Sequence, residues 1–283
     1  MPEREERGRR SARVPGGKRS RAAAARSGRL LAVDVGNSET VVGLLEGREV
    51  KGFWRLTSGR LTADEARLQL DALLRRDGVG ARTREDLQPV LCSVAPSLTL
   101  AWAEALERLC GRPPVEVGVA TAKSLPIRYH DKSAVGADRI ANAMAARGIY
   151  GTPAIVVDLG TATTFDCISQ QGAYLGGAIA PGVATSAEEL FRRAAPLPRV
   201  ELRKPARALG RTTEESLRAG VVWGTAGQVD ALVRRLALEM KGTPHVIATG
   251  GLARLIVPEC ETINVVDEAL TLKGMALLWE ENP

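Results

Sequence analysis

Two stretches of the chain place a carboxylate, a glycine and a row of hydroxyls at the end of an apolar run. The first is "LLAVDVGNSETVVGLL", residues 30 to 45, with Asp34, Gly36, Asn37 and Ser38. The second is "AIVVDLGTATTFDCI", residues 154 to 168, with Asp158, Gly160, Thr161, Thr163 and Thr164. Glycine at a strand end lets a ligand approach bare backbone, and hydroxyls with free N–H groups suit phosphate oxygens. A carboxylate beside phosphate is repulsive unless a cation lies between, and magnesium bridges the two through water or one or two carboxylates. Asp34 and Asp158 therefore point to cations, and Gly36, Asn37, Ser38 and Thr161 to phosphate. Each Asp-x-Gly alone also reads as a plain tight turn. Two copies in matching contexts favour the ligand reading. No GxxxxGK[ST] occurs anywhere, so the turns are not a P-loop. Hairpins rather than a crossover helix follow each glycine, which excludes a Rossmann turn.

Two further stretches carry chemistry. "HVIATGGLARL" puts Gly250-Gly251 after a strand, where bare backbone faces an adenine or ribose or forms an ordinary turn. "VGADRIANAMAARG", residues 135 to 148, sets Asp138 before an Ala-rich helix with Arg139 next to it. Phosphoryl transfer to an alcohol needs a carboxylate to accept the hydroxyl proton and a base nearby to hold charge. Asp138 and Arg139 supply both; helix capping by Asp138 is the alternative.

The elements that must position these groups follow from periodicity. Residues 30–36 and 40–45 read as strands, with a turn at Glu46-Gly47 and a third strand in "REVKGFWRL". "TADEARLQLDALLRRDG" is an amphipathic helix, with Thr62 and Glu65 as a capping box and Gly78 as its stop. "PVLCSVAP", "SLTLAWAEALERLCG" and "VEVGVA" continue as strand, helix and short strand. The second half repeats the order. "AIVVDLG", "TTFDCIS" and "AYLGGAIAPG" form a meander turning at Gln171-Gly172, then "TSAEELFRRAA" is a helix capped by Thr185 or Ser186. "TEESLRAGVVWGTAGQVDALVRRLALEMKG" is a long helix, "HVIATGG" a strand and "TLKGMALLWEE" the closing helix. This is a divergent internal duplication, and it predicts an α/β fold of two similar lobes with mixed sheets and a cleft between them.

Composition removes other classes. A length of 283 residues suits two domains, and 45% apolar content is ample for their cores. The net charge of +6 suggests nucleic acid until it is located. The first 29 residues hold ten of 39 basic and three of 33 acidic side chains, a net of +7. The remaining 254 residues carry 29 basic against 30 acidic groups, a net of −1. The basicity belongs to the tail and the body is nearly neutral, so nucleic acid is not an expected partner. The tail has almost no large apolar residue and reads as disordered. Its "AAAA" is too short for a signal peptide, and Glu3, Glu5 and Glu6 spoil a transit peptide. A misplaced start and an arm for anionic surfaces both fit it. No run approaches the ~18 apolar residues of a membrane span. Cys92, Cys110, Cys167 and Cys260 are scattered and read as reduced thiols; with only His130 and His245 besides, no zinc site emerges. A cytoplasmic location is expected.

In combination these stretches resemble one family, the type III pantothenate kinases of the actin-like and sugar-kinase ATPase superfamily. The matches are "DVGNS" at 34, "SVAPSLT" at 93, "VGADRIANA" at 135, "IVVDLGTATTFD" at 155, "YLGGAIAPG" at 174, "LPRVEL" at 197, "GRTTEESLRAG" at 210 and "TGGLA" at 249. They cover everything but the tail. The resemblance implies two ribonuclease-H-like lobes, residues 29–145 and 146–283, behind a tail of residues 1–28. It implies ATP-dependent phosphorylation of pantothenate to 4'-phosphopantothenate, the opening step of coenzyme A synthesis. It places the ATP phosphates at Asp34, Val35, Gly36, Asn37, Ser38, Glu39, Thr40 and Val41, with Thr161 also touching ATP and magnesium near Asp34. Asp138 is implied as general base, with Tyr129, Gly136, Ala137 and Arg139 lining the pantothenate pocket and Thr213 touching substrate. Asp158 resembles the family's ligand for a monovalent cation, potassium or ammonium, and the working form is implied to be a homodimer whose partner helps close the pocket.

Three departures stand out: Asp131-Lys132 where the family commonly has Asn-Pro, Glu39 where a small or amide residue is usual, and "LTADEA" for "RTADEY". Two other readings fit the same motifs: a regulatory relative acting in transcription, and a same-fold kinase for another small hydroxyl compound.

Overall fold

The computed structural model describes residues 28–80, 84–194 and 197–282. The tail expected over residues 1–28 lies, except for Gly28, outside them. Each half builds one five-stranded sheet from the same sequence of events. In the first, β1 (Arg29–Val35), β2 (Glu39–Glu46) and β3 (Glu49–Thr57) form an antiparallel meander. β4 (Gln88–Ser93) then returns parallel to β1, and β5 (Val115–Glu116) parallel to β4. In the second, β6 (Ala154–Leu159), β7 (Ala162–Ile168) and β8 (Tyr174–Pro181) form the meander. β9 (His245–Thr249) runs parallel to β6, and β10 (Val265–Val266) parallel to β9. The orders β3-β2-β1-β4-β5 and β8-β7-β6-β9-β10 are the same topology twice. The duplication and the two-lobed α/β class expected from the pattern are what forms.

Alternation along each first strand sorts residues to two faces. Leu31, Val33 and Val35 of β1 pack outward on α1 (Ala63–Arg76) and α2 (Pro96–Cys110). Leu30 and Ala32 face the other way, into a core shared with Ala154 and Val156 of β6. That central core is filled by α3 (Ala137–Ala145) and α7 (Leu270–Glu281), which pack against each other between the sheets. Their crossing is tight: a Cβ on Gly274 would lie 1.9 Å from the carbonyl oxygen of Ala141. The closing helix therefore packs on the first lobe and on α3, not only on the second lobe. The outer face of the second sheet, with Ile155, Val157 and Leu159, is covered by α5 (Thr213–Met240). α6 (Ala253–Ile256) completes that side.

Local signals formed as read at α1, where Thr62 and Glu65 make a reciprocal capping box and Gly78 takes φ +77 beyond the end. The start of α4 (Val183–Arg193) differs from expectation. It begins after Gly182, not at Thr185 or Ser186, and the Thr185 hydroxyl donates instead to the carbonyl of Thr161 at 2.8 Å. The reason is steric. A Cβ on residue 182 would sit 2.1 Å from Thr161 O, so only glycine lets the helix begin against that turn. Asp138 is likewise inside α3 rather than ahead of it, since Gly136 holds the N-cap position. All four cysteines are free thiols.

Candidate active site

Both Asp-x-Gly turns face one cleft of about 280 Å³ between the sheets. The first turn closes with the Gly36 N–H donating to Glu39 O at 3.0 Å. It is tied down by β3's end, where the Ser58 hydroxyl donates to Gly36 O at 2.7 Å and pairs with the Thr40 hydroxyl at 2.8 Å. The second turn closes through Gly160 N–H to Ala162 O at 3.1 Å. The turns meet across the cleft, with the Thr161 hydroxyl 3.0 Å from that of Ser38. Two turns related by duplication thus face one another.

Three carboxylates line the floor: Asp34 from β1, Asp158 from β6 and Asp138 from the first turn of α3. Asp34 is pushed up to about 7, first by burial and then by the charge of Asp138; the Cys92 thiol on the neighbouring strand opposes the shift. Asp158 is pushed up to about 7 by burial and Asp138, against the side-chain amide of Asn142, which donates to it at 3.1 Å. Asp138 is also raised, mainly by burial, and opposed by the Arg139 N–H that donates to it at 2.7 Å and by the Arg139 charge. Carboxylates that repel one another in a cleft are a donor set in want of cations.

The fit to cations is specific to each group. Among the described residues no three His, Cys, Asp or Glu side chains converge into a closed cage. A hard ion held by one carboxylate, waters and phosphate needs none, which suits magnesium at Asp34. Asp158 is cradled differently. A Cβ on Gly250, which has φ +94, would lie 2.6 Å from Asp158 Oδ1, so glycine alone keeps that oxygen clear. Its other oxygen is fixed by Asn142, whose own carbonyl accepts from the Thr271 hydroxyl of α7 at 2.8 Å.

Beside Asp138 lies a second group of side chains. Arg139 Nε donates to the fully buried Asp166 at 2.7 Å, and the Tyr174 hydroxyl donates to the same carboxylate oxygen at 2.9 Å. The guanidinium lies 5.8 Å over the Tyr174 ring, and Tyr129 tilts against Tyr174 with centroids 6.3 Å apart. Gly176, at φ +113, leaves room for the Tyr129 ring. Gly136 similarly clears space for Asp138, since a Cβ there would meet Asp138 Oδ1 at 2.5 Å.

A sequence profile described as type III pantothenate kinase matches residues 30–235. The chain belongs to the type III pantothenate kinase family. The type III pantothenate kinase of Moorella thermoacetica is 46% identical over 254 residues, covering 89% of this chain and 99% of that one. That of Thermobifida fusca is 45% identical over 261 residues, with the same coverage. Among solved structures, a Baf family transcriptional activator from Campylobacter jejuni aligns with TM-score 0.55 at 22% identity, covering 90% of this chain and 99% of that one. An activator of 2-hydroxyisocaproyl-CoA dehydratase from Clostridium difficile aligns with TM-score 0.52 at 13% identity, covering 90% and 94%. At those identities the likeness is one of fold alone.

The family's motif positions divide by place. Asp34, Gly36, Asn37, Glu39, Val41, Asp138, Asp158 and Thr161 line the cleft. Val35 points into the outer core and Thr40 is buried against Ser58, so their side chains brace the turn. Ala137 packs on the central core, and Tyr129 with Arg139 forms the group beside Asp138. Thr213 is elsewhere. It opens α5 and lines a separate apolar groove of about 510 Å³ with Val183, Leu190 and Leu217. Arg55, Asp166, Asn142 and Thr271 escaped the sequence reading. For Asp166 a signal existed, a carboxylate inside the apolar run of β7.

Proposed function

We propose that the chain phosphorylates the primary hydroxyl of pantothenate with ATP, the first step of coenzyme A synthesis, in the cytoplasm. The observation that carries this reading is Asp138, a carboxylate of raised proton affinity in a cleft flanked by two phosphate-type turns. In this reading residues 29–145 and 146–283 act as the two ATPase lobes. Asp34 to Val41 and Thr161 cradle the phosphates, and Gly250-Gly251 takes the adenosine side. Asp138 accepts the hydroxyl proton as the alkoxide oxygen bonds to the γ-phosphorus, and the bond to the β–γ bridging oxygen breaks to release ADP. A carboxylate shifted up from its usual range is a better proton acceptor near neutral pH. Arg139 is held at Nε by Asp166, and in this reading its guanidinium fork takes the pantothenate carboxylate. Magnesium at Asp34 and a monovalent cation at Asp158 supply the positive charge that lets phosphate sit among carboxylates.

Asp138→Asn tests the assignment. Asn is nearly isosteric with Asp and keeps an oxygen for the Arg139 N–H, yet it takes no proton. Turnover in an ATP-coupled assay with pantothenate should fall by about two orders of magnitude, with melting temperature and ATP binding nearly unchanged. Turnover close to wild type would reduce Asp138 to a first-turn carboxylate that only holds the Arg139 N–H.

A further inference from the structure

Phosphate binding needs positive charge, and this cleft has little. Asp34, Glu39, Asp138, Asp158 and Glu268 line it, and Arg55 is the one lysine or arginine among its described lining residues. Arg55 stands on β3 opposite Val41, so its side chain shares the face of the hairpin that carries Glu39 and Val41. Its guanidinium lies 5.0 Å over the Phe53 ring, and Nη1 donates to Glu39. The pair is not sealed: 28% of the Arg55 side chain and 44% of Glu39 remain exposed. Opposite them is the second lobe. A Cβ on Gly251 would lie 3.3 Å from Arg55 Nη1 and 3.7 Å from Glu39 Oε2. The guanidinium therefore spans the gap between the first turn and the Gly250-Gly251 turn, and its charge offsets a small part of the rise at the Asp158 carboxyl.

We propose that Arg55 is a phosphate-contacting residue of the nucleotide site, held over the cleft by Glu39 until a nucleotide polyphosphate becomes its partner. This rests on the kinase reading above. A partly exposed ion pair is weak, so giving up Glu39 costs little, whereas a polyphosphate offers several anionic oxygens to a planar fork. Glu39, the acidic departure in the first turn, then serves as the holder that keeps the fork extended across the cleft.

Calorimetric titration of the full chain with adenosine, ADP and ATP, magnesium present, separates phosphate contact from bracing. Arg55→Met should weaken ATP binding about tenfold or more while adenosine stays within about twofold. Glu39→Gln should tighten ATP by about twofold or more and leave adenosine unchanged, because it frees the guanidinium and removes a like charge. Equal losses for ATP and adenosine in Arg55→Met would make the residue a brace between the lobes and overturn the proposal. Unchanged ATP affinity would overturn it too. Should Arg55→Met fail to fold, Glu39→Gln and Arg55→Lys decide, and unchanged ATP affinity in both refutes the role. A wild-type chain that binds none of the nucleotides sinks the kinase reading itself. Wild-type binding of ATP matched by Arg55→Met sinks the role of Arg55 alone.

Discussion

Asp34 and Asp158 hold their protons to about 7 in the folded chain, against an ordinary value of 3.8. Between those values the folded state binds more protons than the unfolded one, so stability falls as pH rises through that window. The cause is burial of negative charge, and a cation at either site removes it. The chelated, salt-poor protein should therefore melt at lower temperature at about pH 7.5 than at about pH 5.5, and magnesium with potassium should shrink the gap. Sodium in place of potassium at constant ionic strength should restore less and lower turnover. Melting curves at the two pH values, with each salt, read both effects. A pH dependence indifferent to every cation would strip Asp34 and Asp158 of their cation roles. Asp166 behaves differently: it too is raised, to about 6, by burial, but Arg139 and Tyr174 already compensate it inside the protein.

At the scale of elements, α3 and α7 act as one unit between the sheets. α3 carries Asp138, Arg139 and Asn142, and α7 supplies Thr271, which fixes the Asn142 amide that fixes Asp158. Their close approach depends on Gly274 lying against the Ala141 carbonyl. Gly274→Ala forces the helices apart and should cost about 1–3 kcal/mol, lowering the melting temperature by several degrees. Gly227→Ala is the control. It lies exposed on α5 with nothing within 4 Å of a new Cβ, so it should be neutral or slightly stabilising. Similar melting temperatures for both variants would mean that the helix crossing is looser than the structure has it.

The whole molecule sets Thr213 and its motif away from the cleft. Thr213 lies on the groove between α4 and α5, where Leu190 is 42% exposed beside Leu217 and Val221. Within one chain it does not line the cleft with Asp138; a homodimer built on this face offers a route by which one subunit completes the other's pocket. Light scattering should find a dimer. Leu190→Arg should shift it to monomer and reduce pantothenate turnover, while ATP binding persists. A fully active monomer contradicts this assembly. Among the described residues no helix is long and apolar enough to cross a membrane.

What the sequence by itself determined is local. The Asp-x-Gly turns, the capping box at Thr62 and Glu65, the meanders and the duplicated order are written in consecutive residues. The turns and the cap close their hydrogen bonds within a few positions and the meanders pair strands adjacent in sequence, so periodicity and residue type suffice to read them. The start of α4 was misread because its constraint is not local: Gly182 is forced by the carbonyl of Thr161, a neighbour only after β7 and β8 have paired. Nothing in the strand "REVKGFWRL" singles out Arg55, and only folding set it beside Glu39 and against Gly251, nearly two hundred positions away. The same holds for Asn142 with Thr271, and for Asp138, whose charge raises the proton affinity of both Asp34 and Asp158. Desolvation and charge coupling depend on distance in space. The tertiary structure alone sets those distances, because packing α3 and α7 between two sheets decides which strand ends face each other.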